Sequence, residues 1–327
     1  MTHLSDYSYI DRGIGILIFF IWAIDHIYTV DGLSSMKLSK IRKKDAKTLC
    51  TVLIFTSMLF VMLYDMLSIY IKYSMGMWYD STMDKCVTMP KARYPDAFLK
   101  PLVITDFFFN LAWGTKGSAM FLIQLTWHHV SKTYAGKTDF LSSREIQIFK
   151  FVSVISIILY PLLQFVFIPG TVLSTITPQF VSNVQLLAAA ILSWYTSKRF
   201  TKLKQTLPNN SLIGPRLNHY IQKNRVLGAY LFMEGFFLFL LNLDFITAKY
   251  TMHSKFLLDL LTRILNFGSV MVYPTALDLL YPLDVLKGQN TSIEQSKGLP
   301  TGMPRKTMDE YGMQLNDSRS IKREIMM

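Results

Sequence analysis

Charged side chains interrupt the long apolar stretches of this sequence, where each of them needs a partner or water. A charge at the centre of a membrane-crossing helix costs at least about 2.5–3.5 kcal/mol, so such side chains usually mark ion pairs, ligand sites or ion pathways. Six charged or amide residues are predicted to lie near the same end of their stretches, at a similar depth: Asp65, Asp106, Asn110, Asp244, Arg263 and Asn266. With the aromatic residues beside them they have the composition of a pocket, in which apolar walls carry a few convergent polar groups. We therefore predict that these six residues bind a small polar or charged ligand; the alternative is a structural network in which Arg263 neutralises one carboxylate.

A second level of charge is predicted deeper in the apolar sequence. Lys116 lies about eleven residues from one end of its apolar stretch, and Glu234 lies about eight residues from the corresponding end of another. At a rise of ~1.5 Å per residue, the two side chains are predicted to lie at a similar depth in the membrane. Each charge needs a partner at that depth, so we predict that Lys116 and Glu234 face each other. Such a pair would either open and close as a switch or remain a static ion pair that fixes helix packing.

Seven apolar stretches must position these side chains, and they predict an all-α fold: a polytopic membrane protein with a seven-transmembrane helix bundle. The predicted spans are residues 13–30, 49–71, 101–127, 148–168, 180–197, 226–247 and 259–281. Each is close to the ~20 residues that a helix needs to cross a bilayer. The apolar sequence from 148 to 195 is too long for one crossing, and Pro169, Gly170 and Pro178 are predicted to divide it. The third span, 101–127, is the most polar and is predicted to lie at the centre.

Composition and charge are consistent with this topology. Hydrophobic residues make up 51% of the 327 residues, and the formal net charge is +12. The basic residues lie between apolar stretches and form no domain of their own, so nucleic acid is not an expected partner. Lys and Arg are concentrated in the loops after spans one, three and five, which places those loops in the cytoplasm and the N-terminus outside. Residues 1–12 then form a short extracellular segment, and residues 282–327 form a disordered cytoplasmic tail.

The predicted arrangement resembles that of the G-protein-coupled receptors. The shared features are seven spans, an outside N-terminus, a polar third span, basic inner loops and Pro274 late in the last span. The sequence from Tyr273 to Tyr281 is similar to the proline-and-tyrosine end of the seventh span in those receptors, and the resemblance covers residues 13–281. Two features differ: Trp127-His128-His129 stands in place of the acidic-Arg-aromatic triplet of the rhodopsin-like class, and the second outer loop has no cysteine to bond to span three. The resemblance implies a receptor-like protein that senses a small ligand and signals through its basic cytoplasmic loops.

Other function classes remain open from the sequence. Intramembrane acidic and basic residues also occur in ion- or proton-coupled transporters, and basic loops also occur in membrane scaffold or trafficking proteins. A metal hydrolase would need histidines and carboxylates with ligand spacing, and the residues near the inner boundary do not show it: Asp25, His26, His128, His129 and Asp278. We expect no enzymatic activity, no metal and no cofactor. The expected partners are the lipid bilayer, anionic lipid at the basic loops and a cytoplasmic signalling partner, and the expected location is the plasma membrane rather than an internal membrane.

Overall fold

A computed structural model describes residues 6–37, 39–40, 46–80, 85–89, 94–133, 144–166, 172–206, 214–247 and 255–282 of the chain. Seven long α-helices run through these residues: α1 Asp6–Asp31, α2 Ala46–Met75, α3 Asp96–Thr133, α4 Arg144–Val166, α5 Val172–Thr206, α6 Gly214–Thr247 and α7 Lys255–Leu280. A short 3₁₀ turn, Ser34–Met36, follows α1. The predicted all-helical architecture is therefore confirmed. The tail predicted for residues 282–327 lies, apart from Pro282, outside the described residues.

A small antiparallel hairpin joins α2 to α3 and was not predicted. Its strands are β1 Met77–Asp80 and β2 Lys85–Thr88, with Met77 opposite Thr88 and Asp80 opposite Lys85. Gly76, which adopts a positive φ of 69°, separates α2 from β1, and glycine takes up this left-handed conformation without steric cost. We call this end of the bundle the hairpin end, and the end at which α7 stops the tail end.

Several helix boundaries differ from the sequence prediction, most of all those of α5 and α6. α5 begins at Val172 and continues through Thr177 and Pro178, where a break between spans was expected. Proline is tolerated in membrane helices because neighbouring helices and local adjustments satisfy the backbone groups that it frees. The helical part of α5 also extends to Thr206, and α6 begins at Gly214, so most of the basic segment predicted as a loop between spans five and six is helical.

The helices pack as a ring with α4 on its outside. α1, α2, α3, α5, α6 and α7 contact one another in that order, and α7 closes the ring against α1. α4 packs against α3 and α5 only, among the principal helix contacts of the described residues. Glycine permits one of the closest approaches: a Cβ on Gly114 of α3 would lie 2.9 Å from the Cα of Ile157 in α4. Small residues at helix contacts are typical of membrane bundles, in which close packing replaces the hydrophobic effect as the driving force.

The distribution of polar and apolar side chains is inverted relative to a water-soluble bundle. α1 and α4 present rows of exposed aliphatic and aromatic side chains at helical spacing: Ile14, Leu17, Ile18, Ile21 and Ile24 on α1, and Val154, Ile155, Ile158, Leu162 and Phe165 on α4. The interior, in contrast, contains buried charges and amides, including Asp65, Lys116 and Glu234. Large exposed apolar surfaces with a polar interior are expected of helices that face lipid.

Five helices of the described chain are long and apolar enough to cross a membrane: Tyr9–Asp31, Ala46–Met75, Ile176–Thr206, Leu217–Asp244 and Phe256–Leu280. The helix α4 contains a shorter apolar segment, Phe151–Val166, and α3 does not reach the same hydropathy. The low hydropathy of α3 has a structural reason, because every residue from Ala112 to Leu125 is buried by other helices and none of this surface has to meet lipid. The protein therefore has the architecture of a multi-pass helical membrane protein, while seven spans and the orientation remain predictions.

Candidate functional site

The structure places Lys116 and Glu234 in direct contact at the centre of the bundle. The Nζ of Lys116 on α3 donates to Oε1 of Glu234 on α6, and the two side chains are 1% and 2% exposed. The same ammonium donates to the Oγ of Ser269 on α7 at 3.0 Å. The predicted contact is thus confirmed, whereas its role as a switch stays a prediction.

Lys116 reaches across a gap in the helix packing. In the described residues α3 and α6 are not principal packing neighbours, since α3 contacts α2, α4 and α5, and α6 contacts α5 and α7. The long side chain of Lys116 therefore joins helices whose backbones stand apart at this level. A link of this kind depends on two side chains and can open without separating a packed helix interface.

A short chain of hydroxyl groups extends this site to α2. The Oγ of Ser57 on α2 donates to the carbonyl oxygen of Ala112 on α3 at 2.8 Å. The hydroxyl of Tyr273 on α7 therefore donates to the Oγ of Ser57, at 2.9 Å, and the Lys116 ammonium lies 5.6 Å from the Tyr273 ring centroid. We call Ser57, Lys116, Glu234, Ser269 and Tyr273 the central polar network; it contains residues from α2, α3, α6 and α7.

One oxygen of this network has no partner in the described part of the chain. The Oε2 of Glu234 is buried and accepts no hydrogen bond there, although Oε1 is bound to Lys116. A buried carboxylate oxygen without a donor is costly, so the group gains from a bound donor or a rearrangement of its surroundings. The network can therefore respond to a new hydrogen-bond donor.

A second ion pair lies toward the hairpin end, and one of its members was missed by the sequence prediction. Arg12 of α1 donates from Nε to Oδ2 of Asp65 at 3.1 Å and from Nη2 to Oδ1 at 2.5 Å. The Arg12 guanidinium carbon lies 5.7, 5.3 and 5.5 Å from the ring centroids of Tyr9, Tyr64 and Phe109. We call these five residues the Arg12 cage.

Arg12 was missed because span one was predicted to begin at Gly13. The structure continues α1 back to Asp6, so Arg12 is part of the helix and lies at the level of Asp65. An arginine immediately before an apolar stretch, at the same height as a buried carboxylate, is the signal that could have identified it.

The structure does not bring all six residues predicted to bind a ligand into one cluster. Asp65 is bound by Arg12, and Arg263, which neutralises a carboxylate in the alternative interpretation, is exposed on α7. The side-chain nitrogen of Asn110 donates to Oε1 of Gln164 on α4 at 2.9 Å, so Asn110 contributes to the α3–α4 interface.

The three remaining residues of that set are placed on α3, α6 and α7. Asp106 and Asp244 are half-buried, Asn266 is buried, and each of them already has an interaction of its own. The role of these six residues in ligand binding stays a prediction, and Asp65 has the most enclosed surroundings shown for any of them.

A column of three aromatic rings extends from the Arg12 cage toward the central polar network. Tyr64 stacks on Phe109 with the ring centroids 4.2 Å apart, and Phe109 lies 4.2 Å from Trp113. Trp113 is three residues before Lys116 on α3, which places both on neighbouring positions of one helix face. The aromatic contacts thus run from the Arg12 cage to Trp113, within one helical turn of Lys116 on α3.

The tail end of α7 is held by a third group of contacts. The hydroxyl of Thr51 donates to the Lys47 carbonyl at 2.8 Å, so the Tyr281 hydroxyl donates to Thr51, also at 2.8 Å. His26 contacts the Tyr281 carbonyl through Nε2 at 2.9 Å and stacks on Trp22. These contacts attach the end of α7 to α1 and α2.

The residues considered for a metal site have other positions or partners. Asp278 pairs with Lys223 at 2.5 Å, Asp25 is exposed, and His26 is engaged with Tyr281. The side chains of His128 and His129 lie outside the described set. Among the residues whose side chains are described, no three His, Cys, Asp or Glu form a group that could hold a metal ion.

An amide network on the inner face of α6 was also missed. Gln124 of α3 donates from Nε2 to Oδ1 of Asn224 at 2.8 Å, and Nδ2 of Asn224 donates to the Ser193 carbonyl at 2.8 Å and to Ser197 Oγ at 3.1 Å. The hydropathy pattern predicts a loop at Asn224, since the apolar stretch begins only at Val226. Asn224 instead fastens α3 and α5 to α6, about two to three helical turns from the central polar network toward the tail end.

Comparison with models of protein families, with curated proteins and with solved structures found no match to this chain.

Proposed function

We propose that this chain is a non-catalytic, receptor-like membrane protein that senses a small polar or charged ligand and transmits the signal by opening the central polar network. The observation that carries the proposal is the buried Lys116–Glu234 pair, which joins two helices that are not principal packing neighbours in the described part of the chain. A buried ion pair is a poor device for stability alone, because its desolvation offsets much of its attraction. As a switch it has the needed property, since two arrangements of a few side chains differ in whether α3 and α6 are joined at the level of Lys116.

The direction of the signal follows from the positions of the two charged sites. The Arg12 cage lies toward the hairpin end, and the aromatic column from Tyr64 to Trp113 leads from it to Lys116. A ligand that displaces a member of the cage would shift this column, and the central pair lies at its end. Such coupling needs a differential interaction of the ligand with the two states, which a direct contact at the cage supplies.

The proposed binding surface for a cytoplasmic partner is the tail end, where α5 and α6 extend as basic helices. The residues Lys198, Lys202 and Lys204 on α5 and Arg225 on α6 are exposed there, and Arg225 donates to the Thr201 hydroxyl at 3.2 Å, which holds the two ends together. We propose that this basic end attracts anionic lipid headgroups as well, with each Lys or Arg near the surface contributing about 1 kcal/mol.

The proposal is tested by the distance between helix ends in the presence and absence of the central pair. Spin labels on the exposed positions Leu49 of α2 and Gln222 of α6 report this distance in detergent or nanodiscs. Lys116→Met and Glu234→Gln are each expected to add a second, longer distance population. Asp25→Asn, which removes an exposed charge from α1, is the control and should leave the distribution unchanged. A single unchanged distribution in both variants would contradict the switch.

A proton-coupled transporter is the second candidate, because the buried Oε2 of Glu234 lacks a donor in the described residues. Such an oxygen could carry a proton between two sides of the membrane. The measurement that separates the two functions is proton flux into proteoliposomes that contain the purified protein. Flux that Glu234→Gln abolishes would establish transport, and its absence together with a distance change would support the receptor.

A further inference from the structure

We infer that the Arg12 cage is a recognition site for an organic cation, which Arg12 occupies as an internal substitute for the ligand. The proposal rests on the proposed sensing function and names the chemical class of its ligand: a small molecule with a guanidinium or primary ammonium group. Such a molecule would bind Asp65 and the surrounding rings in place of Arg12, and would thereby release the hairpin end of α1.

The chemistry of the cage selects positive charge. The Asp65 carboxylate is 1% exposed and supplies two acceptor oxygens side by side, which match the paired donors of a guanidinium. The rings of Tyr64 and Phe109 present their π systems to the same cation at 5.3 and 5.5 Å. Rings within about 6 Å of a cation attract it through their quadrupole, and more strongly where water is excluded. An anion would gain little here, because Asp65 already balances the charge of Arg12.

Most of the residues that line the site lie on α2 and α3, whereas Arg12, which fills the site, lies on α1. Tyr64 and Asp65 lie on α2 and Phe109 lies on α3, two helices that pack closely along their length. Arg12 and Tyr9 lie on α1, whose principal helix contacts in the described chain are with α2 and α7. Removal of Arg12 would therefore leave the carboxylate and two of the three rings in place.

The charged neighbours are compatible with an exchange of one cation for another. The Lys72 ammonium lies 4.6 Å from the centroid of the Tyr9 ring, and Asp106 lies one helical turn before Phe109 on α3. Arg12 is 10% exposed, so the site is reached from the side on which Arg12 enters. An incoming guanidinium replaces the charge of Arg12 at Asp65 and leaves the local balance unchanged.

The first test is chemical rescue of Arg12→Ala in the purified full-length protein. Thermal unfolding is followed, in a Cys86→Ser background, by the labelling of buried Cys50 with a thiol-reactive dye. Arg12→Ala should lower the unfolding temperature, and millimolar guanidinium or methylguanidinium should restore at least half of the loss in a saturable manner. Urea has nearly the same shape without the charge, and sodium chloride matches the ionic strength; neither should rescue. The double variant Arg12→Ala with Asp65→Asn should show no rescue by any of them.

Failure of guanidinium to rescue, or equal rescue in the double variant, would overturn the cation site. If Arg12→Ala does not yield folded protein, the same rescue is measured with Arg12→Gln, which retains most of the side-chain volume.

The second test asks whether an external cation displaces Arg12 in the unaltered protein: methylguanidinium should raise hydrogen exchange of the amides of residues 9–14, and urea should not. Rescue without this displacement would identify a static bridge and reject the ligand-exchange proposal. Neither result depends on the distance measurement at the central polar network, so each proposal can fail alone.

Discussion

At the scale of single residues, the interior of this bundle depends on whether each buried charge has its partner. Lys116 and Glu234 are both nearly inaccessible to water, and either of them alone would be an isolated charge in a medium of low dielectric constant. Removing one partner of a fully buried pair typically costs about 3–5 kcal/mol, much of it from the charge that is left behind. Ser269 gives Lys116 a second acceptor, but a neutral one.

We therefore predict that Lys116→Met and Glu234→Gln each lower the thermal stability of the purified protein strongly. The double variant should recover part of the combined loss, because it removes both charges together. Dye labelling of Cys50 in a Cys86→Ser background measures the unfolding temperature of each variant. Arg263→Gln removes an exposed charge and should change stability by no more than about 0.5 kcal/mol. Strictly additive effects of the two central substitutions would mean that the pair does not interact in the folded protein.

The residues of the interior were predictable from sequence only where depth alone decided the partner. Lys116 and Glu234 lie near the middle of two apolar stretches, where few other charges are available at the same level. Asp65 lies closer to a helix end, and its partner depended on where α1 begins, which hydropathy does not define. Asn110 shows a different difficulty, because an amide can be satisfied on either side of its helix and the sequence does not say which neighbour carries Gln164.

At the scale of helices, α3 is central because its small residues admit close neighbours on several sides. A Cβ on Gly114 would lie 2.9 Å from the Cα of Ile157 and 3.0 Å from the Ser156 carbonyl oxygen, both in the backbone of α4. Backbone atoms cannot yield as a side-chain tip can, so the two helices would have to separate. A Cβ on Gly15 of α1 would instead lie 3.4 Å from a methyl group of Val270, which is an ordinary contact.

We predict that Gly114→Ala lowers stability by about 1–3 kcal/mol, the usual cost of adding volume to a packed site. Gly15→Ala is the matched control and should be neutral or slightly stabilising, because alanine favours a helix by up to about 1 kcal/mol relative to glycine. The same Cys50 labelling assay measures both variants. Equal stability of the two alanine variants would show that α3 and α4 are not in the close contact described above.

Helix identity could be read from the sequence more reliably than helix ends. The apolar stretches gave all seven helices, since a long apolar segment in a bilayer has to satisfy its backbone groups internally. They did not give the start of α5 before Pro178 or the start of α6 at Gly214, because polar helical turns beyond the apolar core leave no hydropathy signal. The hairpin between α2 and α3 was missed for a similar reason, since its two strands have only four residues each.

At the scale of the whole molecule, the inverted distribution of side chains indicates a membrane environment. It does not show which end of the bundle faces the cytoplasm. Apolar rows on α1 and α4 face outward along the helices, and the Arg12 cage and the basic ends of α5 and α6 lie at opposite ends of the bundle. Which end faces the cytoplasm decides whether the cage could meet an external ligand. The concentration of Lys and Arg in the segments at the tail end is the argument that places that end inside.

The orientation can be tested by glycosylation at a site introduced into the hairpin. Asp80→Asn completes an acceptor triplet with Ser81 and Thr82, and the hairpin lies at the end predicted to be outside. We predict that this variant gains a sugar chain, visible as a glycosidase-sensitive shift in mobility. The native acceptors Asn209, Asn290 and Asn316 belong to segments predicted to be cytoplasmic and should carry none. Asp80→Gln, which removes the same charge without creating an acceptor, is the control for mobility. Sugar on a native acceptor and none on the Asp80→Asn variant would invert the topology, and the Arg12 cage would then face the cytoplasm, where a cation sensed by this protein would have to be an intracellular one.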